Sequence, residues 1–154
     1  MLEVKPRVSG LDQADVPGGL SIAEAARRTG VSVHTLRYYE RAGLVVTSVD
    51  RTTGGRRRYH RLDLQWIVVC TKLRATGMPI KAIRRYAQLV AAGPGNELER
   101  LALMEAHRAE VMARLDELQE NLKLIDHKID VYRGRVAAGD ADQLWAPRSV
   151  SGES

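Results

Sequence analysis

Apolar residues fall at Val111, Leu115, Leu118, Leu122, Ile125, Ile129 and Tyr132, a spacing of 4-3-4-3-4-3. Such alternation keeps a single apolar seam along one side of a helix, the pattern of a coiled coil. Leu101 and Met104 carry it toward the N-terminus, and Arg108 is its main polar interruption. Asn96 stands where it can cap this helix, with Glu99 three residues on. A helix over 97–133 would be about 55 Å long at the usual rise per residue. No small upstream domain can cover a seam of that length, and the pattern shows no second long helix. The seam therefore predicts a partner helix from another copy of the chain.

Ahead of the seam, Leu20 to Arg61 reads as two short helices and a basic hairpin. Ser21-Ile22-Ala23-Glu24 is a capping-box start, in which the Ser21 hydroxyl and the Glu24 carboxylate satisfy each other's backbone amides. Gly30 sits where a left-handed residue would end that helix. Ser32 can cap the next, and Gly43 ends it. On this second helix Val33, Leu36 and Tyr39 or Glu40 recur at helical spacing and face inward. His34, Arg37, Tyr38 and Arg41 then point away, as a recognition helix in a major groove requires. Arg37 can fork onto guanine or phosphate, while Ser32, Thr35 and Tyr38 can donate to phosphate.

A β-branched run, Leu44 to Val49, precedes the turn Asp50-Arg51-Thr52-Thr53-Gly54-Gly55, and Arg56-Arg57-Arg58-Tyr59-His60 returns the chain. This predicts a wing beside the recognition helix. Strand alternation places Arg56 and Arg58 on one face, Arg57 and Tyr59 on the other. Three adjacent arginines suit a phosphate clamp better than an idle turn. Charge agrees: residues 1–77 hold 13 Lys and Arg against 7 Asp and Glu, whereas residues 78–154 hold 11 against 12. The excess positive charge thus lies in the half that would hold a polyanion.

Asp63 can cap a third helix, with Leu62 and Ile67 as a staple and Trp66, Val69 or Cys70, and Leu73 as its buried stripe. Gly77 ends it. Pro79 opens a fourth helix on Ile80, Ile83, Ala87 and Val90, which Gly93-Pro94-Gly95 stops. Residues 1–19, ending in Pro17-Gly18-Gly19, read as a flexible arm, and 134–154 as a disordered tail holding Trp145.

The order of these elements resembles the MerR family of transcription regulators over residues 20–133. The carrying residues are Ser21 to Ala26, Gly30-Val31-Ser32, Leu36-Arg37-Tyr38-Tyr39-Glu40, Gly43-Leu44, Gly55-Arg56-Arg57-Arg58-Tyr59 and Gly77-Met78-Pro79-Ile80. The resemblance implies a mainly α fold. A winged helix-turn-helix DNA-binding domain would occupy 20–93, and an antiparallel coiled-coil dimerisation helix 96–133. It implies Ser32, Thr35, Arg37 and Tyr38 as recognition-helix contacts, Arg57 and Tyr59 as wing contacts, and long helices that pair two copies. It also implies double-stranded promoter DNA as partner, RNA polymerase beside it, and action by distorting an overlong promoter spacer. Two positions depart from the family: Thr47 stands where proline is frequent, and Arg56 where an aromatic is frequent.

About twenty residues follow the long helix, too few for a drug-binding domain, and no paired cysteines stand at its end. The nearest branch is the short one that responds to aldehydes or electrophiles through a cysteine. There the thiol usually sits where Lys72 stands, two residues past Cys70. Cys70 lies on an apolar stripe, which favours an inert thiol over a sensor. With one cysteine and scattered histidines there is no nucleophile–base constellation, so no enzyme, catalytic residue, cofactor or metal site is expected; His107 and His127 have no partners at ligand spacing. The chain has neither a long apolar run nor a signal-peptide core, which makes the cytoplasm the expected location. The competing reading is an architectural or recombination-associated DNA-binding protein without an effector switch. A coiled-coil adaptor would leave the arginine-rich wing unexplained.

Overall fold

The computed structural model describes residues 17–47 and 50–144. The chain divides into two units, Met1–Arg108 and Ala109–Ser154. The first contains helices α1 (Ile22–Thr29), α2 (Val33–Arg41), α3 (Arg61–Ala75) and α4 (Ile80–Ala91), strands β1 (Asp50–Arg51) and β2 (Arg57–Arg58), and the start of α5 (Glu97–Ala138). The second holds the rest of α5 and the 3-10 turn Ala141–Gln143.

Local signals set the helix-turn-helix. Ser21 Oγ accepts the Glu24 amide at 3.2 Å, and Ser32 Oγ accepts the Thr35 amide at 3.0 Å. Gly30 has φ 69°, the left-handed backbone that reverses the chain between α1 and α2. The Glu24 carboxylate turns to Arg27 and Arg28 rather than back to the cap, and those guanidinium groups hold it below the usual carboxylate range. Ala25 is fully buried, and small residues on α1 let it lie close against α2 and α3. Leu36 and Tyr39 of α2 join Leu20, Leu44, Tyr59, Leu64 and Ile83 in one core, as their spacing predicts.

Several boundaries differ from expectation. Residues 44–47 form no strand and 48–49 lie outside the described residues, so the first wing strand is only Asp50–Arg51. β1 and β2 pair antiparallel with Asp50 opposite Arg58 and Arg51 opposite Arg57. A further bridge pairs Leu20 with Tyr59 through two backbone hydrogen bonds of 2.7 and 2.9 Å, tying the chain before α1 to the wing. Helix α3 begins two residues before Asp63, whose carboxylate accepts the His60 amide at 2.8 Å. The staple is absent: Ile67 is buried, but Leu62 sits in the first turn and is exposed. The buried stripe of α3 is Leu64, Ile67, Val68 and Cys70. Trp66 is half-buried, stacks on Tyr86 with ring centroids 5.4 Å apart, and donates its indole N–H to the Leu44 carbonyl. In α4, Ile83 and Ala87 are buried as expected, but Leu89 replaces Val90 as the third inward residue. Pro79 stands one position before the first helical residue.

Asn96 precedes α5, but its amide donates to the Leu89 carbonyl at 2.9 Å and its oxygen accepts from Arg100 at 2.6 Å. It fastens the helix start to α4 rather than capping free amides. His107, buried on α5, lies 2.7 Å from the Thr76 hydroxyl at the end of α3. In the second unit, α5 runs past Gly134 to Ala138, so a lone glycine does not stop it. The residues expected as tail are therefore helical through 138, and 145–154 lie outside the described residues. Leu115, Leu118, Leu122, Ile125, Ile129 and Tyr132 are all exposed, and Val136 continues their spacing by four.

Candidate nucleic-acid interface

Helix α2 presents two chemically distinct faces. Leu36 and Tyr39 anchor one in the core, while Ser32, His34, Arg37, Tyr38 and Arg41 are exposed on the other. Thr35 is half-buried at the first turn, and its oxygen accepts the Ser32 hydroxyl at 2.9 Å. Ser32 is thus engaged as cap and donor, which leaves the Thr35 hydroxyl proton free to point outward. At the other end of α2, Arg84 of α4 donates to the Ala42 carbonyl at 2.6 Å, a cation at the negative pole of the helix. Nothing in the residue order pointed to Arg84.

The wing faces α2 across a cleft of about 480 Å³, lined by Ser21, Ile22, Ala23, Arg37, Glu40, Arg51, Gly55, Arg56, Arg57 and Arg58. Five arginines and the amino end of α1 converge there, a setting that attracts anions. The three consecutive arginines differ in environment. Arg56 is exposed at the wing tip. Arg58 is half-buried and donates to the Gly18 carbonyl at 2.7 Å and to that of Gly19. Gly19 packs so close that an added Cβ would meet the His60 ring at 2.8 Å.

Arg57 and Tyr59, expected as wing contacts, both turn inward in this structure. The Arg57 side chain is only 4% exposed, lying 3.6 Å from Glu40 of α2 and 3.7 Å from Asp63 of α3. Its guanidinium sits 5.1 Å from the centre of the Tyr59 ring. Tyr59 is 2% exposed, its hydroxyl finds no hydrogen-bond partner among the described residues, and burial pushes that hydroxyl's pKa up. The strand does alternate as its sequence predicts. It turns Arg57 and Tyr59 toward the core and leaves Arg56 and Arg58 toward solvent.

Arg51, expected only as part of a turn, is a working part of the wing. It donates to Glu40 at 2.6 Å and to the Gly55 carbonyl at 3.0 Å. Thr47, in the position where the family often has proline, donates its hydroxyl to Asp63. Cys70 lies away from this surface, fully buried, with its thiol pushed up to about 12 by burial. Arg74, the cation one turn on, donates instead to the Met78 carbonyl at 2.8 Å.

An exposed basic helix after a tight turn, flanked by a two-stranded arm, defines a winged helix-turn-helix protein. Residues 20–89 match the family described as MerR HTH family regulatory protein. A Haemophilus influenzae protein known as an uncharacterized HTH-type transcriptional regulator is 35% identical over 126 residues, covering 82% of this chain and 93% of its own length. The crystal structure of HiNmlR, a MerR family regulator lacking the sensor domain, bound to promoter DNA, superposes with a TM-score of 0.70 at 35% identity. That match covers 80% of this chain and 98% of the other. A MerR family regulator from Bacillus thuringiensis superposes at 0.64 with 29% identity, over 73% and 98% of the two chains. The chain belongs to the MerR family and is a helix-turn-helix transcriptional regulator of that type.

Proposed function

We propose that two copies of this chain join through α5 and bind promoter DNA as a homodimer. In each copy α2 would lie in the major groove and the wing on the flanking backbone. The observation that carries this reading is the basic cleft shared by α2, the wing and the amino end of α1. Arg37 within it, with His34, Tyr38 and Arg41 elsewhere on the exposed side of α2, would supply the face for base edges and phosphates, while Arg56 and Arg58 would supply the wing's outward charge. The exposed apolar seam from Leu115 to Val136 supports the dimer, since bare leucine and isoleucine at heptad spacing call for a second helix. HiNmlR, the relative crystallised on promoter DNA, supports a promoter as target. Two recognition helices on one dimer would select DNA that can be deformed to meet both, and the distorted spacer would then suit RNA polymerase. This function needs no catalytic residue and no cofactor, and the chain would work beside the DNA in the cytoplasm; no described helix is long and apolar enough to cross a membrane.

The test is binding to a duplex selected for affinity from a randomised pool, against random DNA of equal length, across a salt series. Arg37→Ala should weaken the selected duplex more than the random one, and the wild type should lose affinity steeply with salt. Equal affinity for both duplexes in the wild type would refute sequence-specific binding.

A further inference from the structure

The wing is too small to hold itself in place. Each strand is two residues long, and a ribbon of that size is marginal in water. Its register also sets Arg51 directly opposite Arg57, and like charges across a strand pair repel. A single carboxylate resolves both problems. Glu40, on the last turn of α2, accepts Arg51 Nη2 at 2.6 Å and lies 3.6 Å from Arg57 Nη1. One side chain on the recognition helix therefore holds both strands of the wing. The far side of Arg57 is fixed in turn by Asp63 at the start of α3, 3.7 Å away. Arg51 closes the wing's turn through the Gly55 carbonyl, so the tip carrying Arg56 is tied to the same carboxylate.

We infer that Glu40 is a positioning residue for DNA binding: it sets the distance between recognition helix and wing so that both engage one duplex without rearrangement. The inference rests on the DNA-binding reading above and adds a role that runs against simple charge. Glu40 is an anion in a cleft built for phosphate, and on charge alone its removal would tighten DNA binding. If it positions the wing, its removal loosens the wing and weakens binding, because the ordering must then be completed on the DNA.

The opposed signs make the test direct. Glu40→Gln keeps shape and removes charge. Binding to a duplex selected from a randomised pool should weaken by about fivefold or more. In an Arg56→Ala/Arg58→Ala background, where the wing no longer grips phosphate, the same change should cost less than about twofold. Without DNA, amide exchange at Thr52 and Gly55, whose N–H groups close the turn at 2.8 Å, should quicken while the Leu36 and Ile67 amides stay protected. If Glu40→Gln fails to fold, Glu40→Asp keeps the charge with a shorter reach and should show a smaller loss with the same dependence on the wing. Binding that is unchanged or tighter, or a loss that persists in the wing-deficient background, overturns the inference while DNA binding itself stands. A wild-type chain that selects no duplex overturns the DNA-binding reading, and the inference with it.

Discussion

Arg57→Met separates the internal arginine from its outward neighbours. The substitution keeps an unbranched chain over the Tyr59 ring and removes the cation between Glu40 and Asp63. Deleting one partner of a buried pair costs about 3–5 kcal/mol when the remaining charge has nothing else. Here the cost is smaller. Glu40 keeps Arg51 at 2.6 Å and is partly solvated, and Asp63 keeps the Thr47 hydroxyl and the His60 amide. The two ion pairs that Arg57 makes, at 3.6 and 3.7 Å, are also longer than charge-assisted hydrogen bonds of about 2.7–2.9 Å. We expect about 2 kcal/mol, or roughly 10 °C in Tm for a domain of this size. Arg56→Met, at the exposed tip, should stay within about 0.5 kcal/mol. Urea unfolding at neutral pH, followed by circular dichroism, measures both. An Arg57→Met midpoint equal to wild type, combined with a reduced salt slope for DNA binding, would return Arg57 to the phosphate interface and refute the reasoning.

Cys70 should resist maleimide at pH 8 in the folded protein, because burial holds its thiol near 12, above an ordinary 9.0; alkylation as fast as in the unfolded chain would show an accessible thiolate. Since the folded value is the raised one, the associated stability is complete below pH 9 and is lost as pH rises toward 12, so the urea midpoint of Cys70→Ala should fall less over that range than wild type. Replacing both Leu118 and Leu122 with Glu should turn a dimer into monomers at micromolar concentration in sedimentation velocity, each buried carboxylate costing several kcal/mol; a monomeric wild type would remove the dimer. Arg56→Ala/Arg58→Ala should lower the slope of log K against log salt by roughly 0.9 for every phosphate no longer neutralised, and an unchanged slope would take the wing off the DNA.

The helix-turn-helix was legible because its signals are local. Ser21, Gly30, Ser32 and Gly43 each act within one turn of where they stand, and the period of α2 sorts Leu36 and Tyr39 from Arg37 and Tyr38. The wing was legible in kind but not in its partners. Its arginines are fixed by groups on other elements: Glu40 of α2 for Arg51 and Arg57, Asp63 of α3 for Arg57, and Gly18 and Gly19, some forty residues back, for Arg58. Alternation alone put Arg57 beside Tyr59, and an aromatic on that face was the available sign that it turned inward. The end of α5 lies beyond its expected place because one glycine in a helix costs only about 1 kcal/mol, too little to stop a helix whose apolar spacing continues to Val136. The burial of His107 was hidden for the same non-local reason as the wing's partners, since the hydroxyl it meets belongs to Thr76.

Hydroxyl-radical footprinting on a selected duplex asks whether two copies of the chain present paired recognition helices to one promoter. Two equivalent protected segments related by a twofold axis on one face of the duplex are expected. Both should vanish together in the Leu118→Glu/Leu122→Glu variant at a concentration where the wild type fully protects them. A single asymmetric footprint, or symmetric protection that survives in that variant, would contradict the account.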